Sequence, residues 1–271
     1  MTQQNLRAAH NEEAPNPKMR VLKKDPPAAV PSEKAVAVTY SNVKKKFARH
    51  VVLDELNLSL TPGKTIAVLG PNGSGKTTLI KSLLGMVLPE SGEIQLNGKP
   101  IRNNSKYRQQ IDYLPQIANF PANLKVKELL SMIKDLRGRT SKDAELIEFL
   151  KIGSYLNSKL GTLSGGTKQK VNLVLTFMFD SPLVILDEPT SGLDPISLIR
   201  LKELIQKEKA KGKTILITSH IMNFVEEISD ELVFLLEGKI YFQGSIRQLK
   251  TSTGEEDLET AIANILSNNN A

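Results

Sequence analysis

The chain has 271 residues, 40% hydrophobic and 24% charged, a globular composition with length for one large domain or two small ones sharing a core. It contains no cysteine, which excludes disulfide frameworks, cysteine-ligated zinc and thiol chemistry and leaves the redox compartment unread. Residues 1–50 carry ten Lys or Arg against four Asp or Glu, so nearly all of the net charge of +7 sits there. The neutral remainder argues against a nucleic-acid-binding face.

Residues 1–34, with Pro15, Pro17, Pro26, Pro27 and Pro31, lack periodicity and read as a flexible extension. They show no charged-then-apolar leader, which points to a chain that stays in the cytosol. The positive charge of residues 1–50 reads as a solvated tail, with anionic lipid headgroups or RNA as weaker alternative contacts. The folded part is expected from about Ala35. Residues 35–40 and 51–60 have strand character, and Thr65–Leu69 is a short apolar strand running into Gly70. A helix is predicted over residues 76–84, a hairpin around Asn97-Gly98 after a strand at 93–96, and another strand at 110–114.

From about residue 119 to 175 the pattern turns helical, with predicted helices at Val126–Arg137, 143–150 and 166–179, so a helical subdomain is placed inside an α/β framework. The longest uncharged apolar stretch, 171–179, falls far short of the ~20 residues a membrane span needs. Residues 183–186 and Thr214–Thr218 are uncharged and β-rich, as central strands of a parallel sheet are, with helices between them. Glu231–Leu236 and 239–242 suggest a terminal hairpin, followed by a helix at 258–266 and a polar tail. There is no internal repeat, and the six methionines are scattered like core filler.

Gly70-Pro71-Asn72-Gly73-Ser74-Gly75-Lys76-Thr77 fits the pattern Gly, four residues, Gly-Lys-Ser/Thr, between a predicted strand and a predicted helix. Its glycines let backbone amides turn inward around phosphates, and the helix N-terminus adds partial positive charge. Lys76 reaches the terminal phosphate oxygens and the Thr77 hydroxyl is a magnesium ligand. Thr78 follows Thr77 at the helix start. An ordinary glycine turn is the alternative, and the strand-to-helix context argues against it. The strand at 183–186 ends in Asp187-Glu188, and paired carboxylates at the end of a buried strand are costly without a role. Asp187 is read as a magnesium holder and Glu188 as the base that polarises the attacking water, against the alternative of a solvent-facing acidic pair. Thr214–Thr218 runs into Ser219-His220, aiming His220 at the same strand ends, although a lone histidine there is more often structural. His10 and His50 stand in no pattern.

Gly70 to Thr77, Gln116, Leu163-Ser164-Gly165-Gly166, residues 183–189, Ser191-Gly192-Leu193-Asp194 and His220 resemble, in order and spacing, the P-loop, Q-loop, signature, Walker B, D-loop and switch histidine of ABC ATPases. The resemblance covers about residues 36–245. It implies an α/β P-loop NTPase of ABC ATPase type, with a mixed, largely parallel core sheet, an N-terminal antiparallel β part and an inserted α-helical subdomain. The implied organisation is an ATPase domain over residues 35–250 and a C-terminal helix and tail over 251–271. In that family two copies pack head to tail, each ATP lying between one copy's P-loop and the other's signature. By similarity Ser164, Gly165 and Gly166 meet the γ-phosphate across the dimer, Asp194 sits at the subunit interface, and Gln116 senses magnesium and the attacking water. Phe47 falls where the family has an aromatic residue stacking on adenine, with simple packing as its alternative. Thr167 and Lys170 depart from the family's commoner Gln and Arg.

The resemblance implies ATP and Mg2+ as cofactors, a second copy of the chain and a separate integral membrane permease as partners, and a position on the cytoplasmic face of the inner membrane. Only about 88 residues separate Lys76 from Ser164, which leaves no room for the long coiled-coil insertion of chromosome-organising relatives. Residues 166–171, Glu226 and residues 234–244 are similar to ATPase subunits of the Nos transporters, which serve copper-site maturation of nitrous oxide reductase. That similarity implies a periplasmic partner as well. The alternatives are the ATPase of a multidrug, lipid or polysaccharide exporter, and a soluble non-transport ATPase of the same family acting on a macromolecular assembly.

Overall fold

The computed structural model describes residues 36–268, so the extension expected over residues 1–34 and the end of the polar tail lie outside the described residues. In chain order the elements are β1 (Val38–Phe47), β2 (His50–Leu60), β3 (Thr65–Leu69), α1 (Lys76–Leu83), β4 (Ser91–Leu96), β5 (Lys99–Pro100), β6 (Ile111–Leu114), α2 (Val126–Arg137), α3 (Asp143–Phe149), α4 (Gly165–Phe177), β7 (Leu183–Asp187), α5 (Pro195–Ala210), β8 (Thr214–Thr218), α6 (Met222–Ile228), β9 (Glu231–Leu236), β10 (Lys239–Gly244), α7 (Ile246–Thr253) and α8 (Leu258–Asn268). They build two sheets. The first is antiparallel with order β2-β1-β4-β5, and the second has order β10-β9-β3-β8-β7-β6 and is parallel apart from β10. The expected α/β class, mixed core sheet, antiparallel N-terminal part and helical insertion are all present.

The central strands read as unbroken apolar runs because they are covered on both sides. Their side chains alternate between two cores. Ile66, Val68, Leu183, Ile185 and Leu216 pack toward α1 and the antiparallel sheet. Val184, Leu186, Ile215 and Ile217 face α2–α6 on the other side. A third cluster seats α7 and α8 on β9 through Leu249, Leu258 and Ala261. Ionic links join the helical insertion to β6 and to α5. Arg137 at the end of α2 donates to Asp112 of β6 at 3.2 Å. Lys142, just before α3, meets Glu208 of α5 at 2.5 Å, and Glu208 also takes Lys211 at 2.8 Å and Lys213 at 2.5 Å.

Three elements depart from the sequence expectation. The first strand runs on to Phe47, past Asn42, which at φ +49° interrupts the regular pairing with β2 and β4. Tyr40 and Val43 then both face the core three residues apart, which breaks the alternation that marks a strand. Helices α6 and α7 were not separately expected. The first has only seven residues, and the second buries Leu249 alone, too thin an apolar stripe to stand out. Among the described residues no helix is long and apolar enough to cross a membrane.

Candidate active site

The site is assembled at the carboxyl ends of β3, β7 and β8, where open α/β sheets bind ligands. After β3 the chain turns sharply through Gly70, whose φ is +149°. A Cβ there would stand 2.0 Å from the Leu235 carbonyl oxygen, so no side chain fits. Gly75, at φ +110°, immediately precedes α1, and a Cβ there would come 2.7 Å from the Val52 carbonyl oxygen of β2. This turn brings Lys76 back over its own loop, where Nζ donates to the carbonyls of Gly70 at 2.7 Å and Pro71 at 3.0 Å. Burial pulls the ammonium below its ordinary pKa while the charges of Glu188 and Asp187 pull it back up. A half-buried cation partnered by backbone carbonyls at a helix N-terminus is suited to an anion. Ser74 is buried within the loop and its backbone carbonyl accepts from Gly238 N–H at 3.1 Å.

Asp187 ends β7 and Glu188 follows it; both are buried. Thr218, at the end of β8, donates its hydroxyl to Asp187 at 2.5 Å, which fixes the carboxylate's direction. The same threonine accepts the Glu188 N–H on its hydroxyl and on its carbonyl, each at 3.1 Å. Glu188 is thereby held at φ +51°, a left-handed conformation that costs a glutamate free energy and that clusters at functional sites. Its Oε2 lies 2.8 Å from Nδ1 of His220, whose ring is otherwise open to solvent.

These groups share a cleft of about 300 Å³ walled by Asn72, Gly73, Gly75, Lys76, Thr77 and Thr78 on the loop side, by Gln116, Asp187 and Glu188 on another, and by His50 and Val52 of β2. Four segments distant in sequence thus converge. Phe47 is not among the walls; it stands half-exposed at the tip of the β1–β2 hairpin, with the Lys45 ammonium 5.1 Å from its ring centre. Among the described residues no cluster of three or more His, Asp or Glu forms a closed metal site. Thr77, Gln116 and Asp187 instead offer an oxygen-only set beside a phosphate cradle, the donor chemistry of a hard divalent cation that arrives with a phosphate. The residues fit magnesium.

Ser164, Gly165, Gly166 and Asp194 lie outside the cleft. Ser164 caps α4, its hydroxyl accepting from Thr167 N–H at 3.3 Å, and Gly165 beside it is exposed with open space where a Cβ would point. Asp194 caps α5, accepting from Ser197 N–H at 2.8 Å, and pairs with Lys170 of α4 at 2.9 Å. The hydrogen bond from Lys170, then those from Ser197, hold its carboxyl far below the usual carboxylate range. Gly166 packs against the Gly192 carbonyl, leaving no room for a Cβ, so the α4 and α5 N-termini form one unit. Two site residues escaped the sequence reading. Thr218 looked like any β-branched strand residue, and His50 carried no motif; only its place two residues before Val52, on the same face of β2, puts it in the cleft.

A model of the ABC transporter family matches residues 53–191. A curated relative from Burkholderia pseudomallei (strain 1710b), "Nod factor export ATP-binding protein I", is 35% identical over 218 residues, covering 78% of this chain and 72% of its own. A protein of the same name from Rhizobium sp. (strain N33) is 34% identical over 216 residues, covering 78% and 71%. A solved structure described as the ATP-binding subunit of an ABC transporter superposes with a TM-score of 0.78 at 29% identity, over 83% of this chain and 98% of that one. With a phosphate-binding turn, a buried acidic strand end and relatives of this kind, the chain belongs to the ABC transporter family, as an ATP-binding subunit that hydrolyses ATP.

Proposed function

We propose that the cleft at Lys76, Asp187 and Glu188 is where this subunit binds and hydrolyses MgATP, and that hydrolysis drives export through a separate membrane permease. The observation that carries the reading is the convergence of Lys76, Glu188 and His220 at one set of strand ends, with Glu188 oriented by two partners, Thr218 and His220. Asn72, Gly73, Ser74, Gly75 and Lys76 would cradle the phosphates by backbone amides and ammonium, and Thr78 would support the α-phosphate side. Thr77, Asp187 and Gln116 would hold magnesium, which neutralises phosphate charge when bound. Glu188 would take the proton of the attacking water while His220 steers its carboxylate. Phe47 would cover the base from the hairpin tip.

The exposed Ser164-Gly165-Gly166 cap is left free of the cleft, which supports completion of the site by a second copy, with Asp194 at the contact. In this reading residues 35–250 form the ATPase domain, residues 119–175 its helical subdomain, and 251–271 a C-terminal helix and tail, and the protein works on the cytoplasmic face of a membrane. The names of the curated relatives favour an exporter. Copper-site maturation with a periplasmic partner has only the Nos resemblance behind it.

The test uses a tagged Glu188→Gln protein, which is expected to bind ATP, lose hydrolysis by roughly 10²–10⁴-fold, and stall as a closed dimer. Membranes solubilised with ATP present should yield a multi-span permease with it. An accompanying periplasmic copper-handling protein would favour the Nos reading. Recovery with ribosomes or soluble assemblies would overturn transport, and normal turnover would overturn the role of Glu188.

A further inference from the structure

Glu188 holds a costly backbone conformation. Its φ of +51° is left-handed, and it precedes Pro189, whose ring pushes the residue before it toward extended backbone. Such a conformation persists only where the surroundings fix it from more than one direction. Thr218 fixes one side by accepting the Glu188 N–H. The other side is fixed from α4, where the Gln169 side-chain amide donates to the Pro189 carbonyl at 3.0 Å. Both residues are buried. The neighbouring Thr190 hydroxyl is buried with no hydrogen-bond partner, so it gives this turn no support.

Gln169 lies on the face of α4 that also presents Gly166, packed on the Gly192 carbonyl, and Lys170, paired with Asp194. That face therefore follows the chain from Pro189 to Asp194. Because the proline ring fixes its own φ, anchoring the Pro189 carbonyl also sets the plane of the peptide that leaves Glu188. Gln169 is absent from the walls of the cleft, so it acts on the site only through this backbone. We propose that Gln169 is a positioning residue for ATP hydrolysis: by holding the Pro189 carbonyl it keeps the Glu188 carboxylate aimed at the attacking water. The inference rests on Glu188 being the base.

The test is steady-state ATPase kinetics of the full-length protein between about pH 6 and about pH 8.5, comparing wild type with Gln169→Leu, Gln169→Glu and Glu188→Gln. Gln169→Leu, which cannot donate, is expected to lower kcat roughly tenfold with KM within about twofold of wild type. Gln169→Glu keeps the shape but sets a carboxylate against the carbonyl at high pH and a donating carboxylic acid at low pH. Burial and the carbonyl both favour the neutral form, which lifts its pKa. Its kcat, taken as a ratio to wild type, should therefore climb by about fivefold or more as pH falls across that range. Asp187, Glu188, His220, Lys170 and Asp194 surround the turn in both proteins, so the ratio cancels their titration. A ratio that is flat with pH would overturn the inference, as would an unchanged kcat in Gln169→Leu. So would KM rising as far as kcat falls, the mark of a purely structural residue. If Gln169→Leu does not fold, the ratio for Gln169→Glu decides alone. Turnover retained by Glu188→Gln would remove Glu188 as the base; turnover lost there, with both Gln169 variants at wild-type rates, would remove only the role of Gln169.

Discussion

Thr218 ends β8 with one hydroxyl serving two neighbours: it donates to Asp187 at 2.5 Å and accepts the Glu188 N–H at 3.1 Å. Removing that oxygen while keeping the shape tests how much of the site depends on prearranged carboxylates. Thr218→Val should lower stability by about 1–3 kcal/mol, since a buried carboxylate and an amide each lose a partner. It should reduce kcat roughly tenfold with KM changed by less than about twofold, because the hydroxyl is spent on aiming Asp187 and Glu188. A fall in KM and kcat together would show that Thr218 shapes the phosphate cradle instead. At this scale the sequence announced the groups that carry charge or lack a side chain, since Gly70, Lys76, Asp187 and Glu188 sit in an order that little else explains. Thr218 stayed hidden because threonine in a strand is ordinary; its hydroxyl gains meaning only beside β7.

Glu208 and Lys213 illustrate the scale of elements. Both are buried with 1% exposure, and with Lys142 and Lys211 they join α5, β8 and the segment before α3. Burial pushes the Glu208 carboxyl up, but hydrogen bonds from the three lysines outweigh it and hold the pKa at about 2. A depressed carboxylate contributes its stability above the unfolded value of 4.5 and loses it as pH falls toward 2. Glu208→Gln should therefore cost about 3–5 kcal/mol at pH 7, by removing the carboxylate shared by Lys142, Lys211 and Lys213 and leaving the buried Lys213 its bridge to Asp180. In urea titrations the gap between wild type and variant should shrink steadily from pH 5 to pH 2. A gap that is constant across that range would show that Glu208 acts through packing and not through charge. The helices α2, α4 and α5 and the central strands were legible from periodicity, because each buries a regular stripe or both faces. The far half of β1 was not, since the Asn42 irregularity resets which residues face the core, and neither was α7, which buries one leucine.

Over the whole molecule, the cleft and the Ser164 cap are two surfaces of one chain that do not meet within it. If each ATP is completed by the neighbouring copy, damage to the two surfaces should complement. Lys76→Ala and Ser164→Arg proteins should each have little ATPase activity alone. Mixed in equal amounts they should recover activity, because a mixed dimer keeps one site with an intact lysine and an intact serine. No recovery on mixing would mean that each chain uses its own Ser164 or that the surfaces act independently. The sequence by itself determined the chemistry carried by neighbours in the chain: the phosphate loop between strand and helix, the acidic end of a buried strand, the helical insertion and the family. Those features are local, fixed by backbone freedom at glycine, by alternation and by burial, and they survive without knowledge of the fold. Only the tertiary structure decided which strand ends face one another, because β3, β8 and β7 lie side by side in an order unlike that of the chain. Strand order therefore put His50 in the cleft wall, Thr218 between two carboxylates and Phe47 outside, since each of those positions depends on contacts made across long stretches of sequence.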